Sequence, residues 1–181
     1  MFKIINFITW LIVVIVLIIS CSSDAEMQNY FVKHQQDSDF LAIDIPSSIL
    51  GDVNNKELPL EAKEAIESFK KLNVLALKKT ELNAPKYETE KIAINKILAN
   101  KSYKDLMHFK DGTNLVTIKY LGNDTSVDQF ILFGSSNDKG LVLVRVLGEK
   151  MDANKAFKLF SLARSGKIDT SKIQNLKSFF N

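Results

Sequence analysis

The sequence predicts an α+β fold: an antiparallel sheet with a four-strand meander and helices packed mainly on one face, after an N-terminal signal helix. Three observations predict it. Apolar residues recur at helical spacing after Pro59 and again over Tyr87–Ala99. From Tyr103 to Leu147 the apolar period falls to two, the repeat of a half-buried strand. Short connectors rich in Gly, Asn, Asp and Ser divide that stretch, with the chemistry of tight turns.

The elements follow in order. Lys3 is the only charge before Asp24, and Ile4–Ile19 is apolar apart from Asn6 and Thr9. Ser20 and the sole cysteine, Cys21, come next, then the polar run Ser22–Glu26. A positive start, an apolar stretch and a small residue before a cut make the layout of a secretory signal. Ile18-Ile19-Ser20-Cys21 also resembles the bacterial lipobox. That resemblance implies diacylglycerol on the Cys21 thiol and cleavage just before it. The alternative is an uncleaved membrane helix, although the 16 residues of Ile4–Ile19 fall short of the ~20 that span a bilayer. The expected division is residues 1–20 as signal peptide, 21–38 as lipidated cysteine and polar tether, and 39–181 as a single α+β domain. Hydrophobic residues at 46% and charged residues at 25% are normal for a folded chain and argue against wholesale disorder.

Within the domain, Leu41, Ile43 and Ile45 alternate with Ala42 and Asp44, a strand stopped by Pro46. Ala62, Ala65, Ile66, Phe69 and Leu72 lie at helical spacing, with Glu61, Lys63, Glu64, Glu67 and Lys70 opposite. Val74–Leu77 reads as a buried strand, and Tyr87–Ala99 as a helix with Ile94, Ile97 and Leu98 on one face. The strands Tyr103–Phe109, Leu115–Leu121, Val127–Phe133 and Leu141–Leu147 follow. Tight connections between them require an antiparallel meander. Val142-Val144-Val146 alternates with Leu141-Leu143-Leu147, so that strand is expected to be central, and Arg145 must find a partner there. Asp152 is placed to cap a helix carrying Ala153, Ala156, Phe157 and Phe160. A last helix is expected from Thr170, with Ile173, Leu176 and Phe180 at helical spacing.

Several of these features together resemble the domain of unknown function 4252, found in lipoproteins of Bacteroidetes. They are the lipobox cysteine, Ile43-Asp44-Ile45-Pro46, Tyr103-Lys104-Asp105-Leu106-Met107 leading into Lys110-Asp111-Gly112, the hairpins, and Gly148 with the helix after it. The resemblance covers residues 30–165. Its motifs concern packing and turns, so it implies a compartment and a fold, not an activity.

Little of the sequence points to chemistry. One cysteine allows no internal disulfide and no multi-cysteine metal site. His34 falls in the expected tether and His108 in a strand; a solvated linker and a sheet position account for them without a ligand role. Gly134-Ser135-Ser136-Asn137 fits a hairpin, not a nucleophile elbow. Asp111, Asp124 and Asp138 are explained by turns, although turns gathered at one sheet end could hold calcium. The net charge of +3 is small and the bases are almost all lysine, which disfavours a nucleic-acid partner. Charge is instead polarised along the chain, with acids concentrated over Asp24–Glu61 and bases over Lys150–Asn181. The expectation is a non-catalytic interaction module of the bacterial envelope. It is held in the outer membrane through lipid on Cys21 and works with an envelope protein, without cofactor or metal. The alternatives are a small-ligand carrier or sensor using a helix-sheet groove, and an enzyme whose carboxylates are brought together by folding.

Overall fold

A computed structural model describes residues 22–46, 59–152, 154 and 179. The elements are α1 (Ser22–His34), β1 (Phe40–Pro46), α2 (Leu60–Ser68), β2 (Phe69–Lys78), α3 (Ala84–Leu98), β3 (Lys104–Asp111), β4 (Asn114–Asn123), β5 (Ser126–Ser136) and β6 (Gly140–Met151). The signal segment 1–20, Cys21 and nearly all of the two expected C-terminal helices lie outside the described residues. Asp152 does accept a hydrogen bond from the Asn154 amide at 2.6 Å, and Asn154 is helical, which is the capping geometry expected there.

The six strands form one antiparallel sheet in the order β1-β2-β6-β5-β4-β3. The four-strand expectation is therefore not exact, because β1 and β2 extend the sheet beyond β6. That extension joins residues 69–78 to residues 140–148 across three intervening strands, a pairing with no local signal.

One face of the sheet carries the core. Leu75, Leu77, Ile131, Phe133, Leu141 and Leu143 pack against Met27, Tyr30 and Phe31 of α1 and Tyr87, Ile94 and Leu98 of α3. Each such side chain stabilises the fold by about 1.5–3 kcal/mol on burial. On the opposite face Val142, Val144 and Val146 are half-buried and Val74, Ala76 and Phe130 are buried. Gly140, with φ of 129°, closes β5 to β6 where a Cβ would lie 2.0 Å from the Leu77 carbonyl oxygen; only glycine fits.

Two local readings change. Residues 22–34, expected within a polar tether, form α1. Met27, Tyr30, Phe31 and His34 lie at i, i+3, i+4 and i+7, and all four are buried. Asp24 in the first turn and Lys33 in the last suit the helix dipole. Phe69 and Leu72, expected to continue the helix after Pro59, belong to β2. The Ser68 hydroxyl donates to the Ala65 carbonyl at 2.7 Å, Phe69 turns extended, and pairing with β6 overrides the helical spacing.

Candidate functional site

Two regions combine polar side chains with a defined geometry. The first is the seam between α1 and the sheet. Arg145 of β6 sits on the core face, 2% exposed, and finds the partners that its position demands. Its Nε donates to Gln129 Oε1 at 2.6 Å, and its terminal nitrogens donate to Gln28 and Asp24. Gln129 Nε2 donates to Asp24 at 3.1 Å and closes the network. A guanidinium can satisfy several acceptors at once, which a lysine ammonium could not do in this planar arrangement. The network fixes the first turns of α1 to the middle of the sheet.

Toward the other end of α1, His34 stacks between Tyr30 and Phe40, with ring centroids 4.4 Å from each. Its Nε2 lies 3.2 Å from Glu90 Oε2 and its Nδ1 lies 3.4 Å from Asp37 Oδ2, both off hydrogen-bonding alignment. Glu90 instead accepts from the Tyr30 hydroxyl at 2.8 Å. Burial, outweighing the nearby Glu90 carboxylate, lowers the His34 pKa and keeps the ring neutral. Burial and the Glu90 hydrogen bond raise the Tyr30 pKa. Lys86 bridges Asp37 and Asp39 at 2.7–2.8 Å; its hydrogen bond holds the Asp37 carboxyl below the usual range. These groups are locked together and tie α1 to α3. The expectation of a solvated His34 is thereby corrected: its place on the α1 stripe buries it.

The second region is the far edge of the sheet. All eight residues of β3 are exposed, and three of the large exposed apolar side chains, Leu106, Met107 and Phe109, lie on it. No strand among the described residues pairs with the outer edge of β3. Behind it, Asn95, Leu98 and Ala99 of the α3 end and Asp105, His108, Leu115, Thr117 and Lys119 of β3 and β4 line an open groove of about 250 Å³. His108 Nδ1 is 3.1 Å from the Thr117 hydroxyl, and Lys119 pairs with Asp105 at 2.9 Å. His108 is thus an exposed groove residue within hydrogen-bond reach of Thr117. The groove could bind a small polar molecule through a carboxylate, an ammonium, an imidazole and an amide.

The family described as domain of unknown function (DUF4252) matches residues 30–159. The chain belongs to this family. No curated protein and no solved structure matches the chain. The described part of this DUF4252 protein has no helix long and apolar enough to cross a membrane.

The remaining candidates are not brought together. Asp111, the last residue of β3, and Asp138, in the β5–β6 turn, lie at one end of the sheet, whereas Asp124 lies at the other and accepts from the Tyr120 hydroxyl at 2.7 Å and Lys104 at 3.2 Å. Among the described residues no three His, Cys, Asp or Glu side chains gather to share a metal ion. Ser135, expected in the hairpin loop, is instead buried within β5, which runs on to Ser136. Early acids of the chain pair with Lys71, Lys86 and Arg145 of the fold. Sequence reasoning missed the buried tie between α1 and α3. Its signal was the 27-30-31-34 spacing, with Glu90 on the buried stripe of α3.

Proposed function

We propose that this DUF4252 protein is a lipid-anchored, non-catalytic interaction module of the bacterial envelope. Cys21 carries the lipid that holds it in the outer membrane, and the outer edge of β3 receives an extended segment of an envelope protein. The observation that carries the reading is β3 itself: an edge strand, exposed along its whole length, presenting Leu106, Met107 and Phe109. A free strand edge offers backbone donors and acceptors to a partner strand, and apolar side chains beside it supply the specificity. The charged groups of the α1 seam are engaged with one another, which suits a structural role better than proton transfer. Nucleic acid is not the expected partner.

The test is a photo-crosslinking residue at Phe109 in cells, with the same residue at the exposed Leu82 as the comparison. One defined protein adduct from position 109, absent from position 82 and lost in Cys21→Ala, is the expected result. Equal adducts at both positions, or none from folded and lipidated protein, would sink the reading. The groove of Asp105, His108, Thr117 and Lys119 favours a second reading, a carrier or sensor of a small polar ligand. A ligand retained by protein purified from native envelopes, and released by Lys119→Ala, would favour that reading.

A further inference from the structure

We infer that α1 is a short rigid strut that holds the domain directly on the lipid surface, with one defined end of the sheet toward the bilayer and the other away from it. The inference rests on the reading of Cys21 as the lipid-bearing residue and adds an orientation to it. A lipoprotein domain on a polar tether samples all directions and stands off the membrane by the reach of its linker. This chain leaves no room for such a linker. The helix starts at Ser22, next to Cys21, and by its second turn it is already core: Met27 is fully buried, Tyr30 and Phe31 nearly so.

The direction of α1 is fixed by its partners. Its first turns are held through Asp24 and Gln28 by Arg145 and Gln129. Gln129 pairs with Leu121, close to the β4–β5 turn at Asn123–Ser126. At the other end His34 stacks on Phe40, which pairs with Leu77; Leu77 pairs in turn with Leu141, beside the β5–β6 turn. The lengths agree. From Asp24 to His34 the helix rises about 15 Å, and from Arg145 to Leu141 the strand covers about 13 Å. The helix therefore runs along the strands, from the middle of the sheet to the β5–β6 end, with its N-terminus pointing toward the β4–β5 end. A lipid attached one residue before α1 is therefore directed toward the β4–β5 end. The turn containing Asp124 faces the headgroups, and the turn containing Asp138 stands away by roughly the length of β5, about 36 Å for its 11 residues.

The surface that meets the membrane is therefore the sheet end built from the β4–β5 turn and the outgoing end of β6 near Glu149 and Lys150. It is held there by the anchor and needs no affinity of its own. The partner is a phospholipid bilayer surface, and the contact is enforced by a docked helix instead of a flexible leash.

The experiment uses the full chain, purified lipidated from membranes and placed in phosphatidylcholine–phosphatidylglycerol vesicles containing a nitroxide headgroup lipid. In the lipidated chain the Cys21 sulfur is a thioether, so an introduced cysteine carries the only thiol. A fluorophore on Asp124→Cys is expected to be quenched several-fold more than the same fluorophore on Asp138→Cys. Both positions are exposed in turns; Asp124→Cys removes the hydrogen bonds from the Tyr120 hydroxyl and Lys104, so unfolding of each labelled chain is measured alongside. A flexible Gly-Ser insertion between Cys21 and Ser22 is expected to lower quenching at 124 and bring the two labels together. Equal quenching at 124 and 138 without the insertion would overturn the strut. Intact-mass measurement separates the two levels of failure. A chain without lipid on Cys21 overturns the anchoring reading, whereas a lipidated chain with equal quenching overturns only the orientation.

Discussion

Strands β6 and β3 belong to the same run of hairpins, yet one is core and the other is bare. β6 holds Leu141, Leu143 and Arg145 almost completely buried, while none of the eight residues of β3 is covered. The difference comes from composition and position together: β6 is apolar on both rows, whereas five of the eight residues of β3 are charged or histidine. β6 lies between β2 and β5, where α1 and α3 reach it, and β3 is the last strand of the sheet. Among the described residues, the groove between the α3 end and β3–β4 marks where the cover given by α3 stops. An alternating apolar pattern thus specifies a strand, but not whether its apolar face becomes core or surface.

The largest effect should come from the covered region, at the residue least expected to matter. Phe31 on α1 is 2% exposed, and Phe31→Ala should destabilise the domain by about 3–5 kcal/mol in denaturant unfolding, as buried aromatic truncations do. The adjacent Val32 is 54% exposed, and Val32→Ala should stay within about 0.5 kcal/mol. Equal, negligible effects at both positions would return residues 22–34 to the role of a tether. Arg145→Ala should follow. It leaves the buried Gln129 without its strongest partner and should cost about 2–3 kcal/mol. Preserved stability in that variant would mean that water replaces the guanidinium.

The contrast also explains what the sequence could reveal. The strands from 104 to 151 were legible because their side-chain alternation and turn glycines are local. Gly112, Gly122 and Gly140 all take positive φ where the connectors were expected. The need of Arg145 for a partner was legible too, since an apolar row cannot hold a bare charge. The partners themselves were not, because Asp24 and Gln28 lie more than a hundred residues away. α1 was hidden because one of its four buried positions is a histidine and its neighbours are polar. The stripe therefore contains only Met27, Tyr30 and Phe31 as apolar members. Of the candidate site, His108 was visible as a strand residue. The groove beside it depends on where α3 ends against β3, and nothing local encodes that.

A smaller effect should appear with pH, and only in the covered region. His34 has a lowered pKa in the fold, so below its ordinary value of 6.5 the unfolded chain binds the proton more readily than the folded one. Stability should therefore be level above about pH 6.5 and fall as the pH drops beneath it. Asp37, whose pKa is lowered chiefly by its hydrogen bond with Lys86, contributes a loss in the same direction but only at and below its ordinary 3.8. Unfolding midpoints between pH 7.5 and 5 thus isolate the histidine. His34→Phe, which keeps a ring between Tyr30 and Phe40, should flatten the profile over that window. An unchanged slope in that variant would assign the pH dependence to another group.

The smallest effect on stability is expected on β3, where a small change is the informative result. Phe109 is 57% exposed, so Phe109→Ala should alter the unfolding free energy by less than about 0.5 kcal/mol. If the edge is a recognition surface, the same substitution should sharply weaken partner capture, read as loss of the adduct formed by a crosslinker placed at the neighbouring Met107. Stability and capture then separate at β3, whereas at Phe31 they must fall together because the fold itself is lost. A Phe109→Ala chain that keeps its stability and still forms the adduct in full would place recognition elsewhere. A Phe109→Ala chain that unfolds would show that the edge is core, and would remove the contrast between β3 and β6.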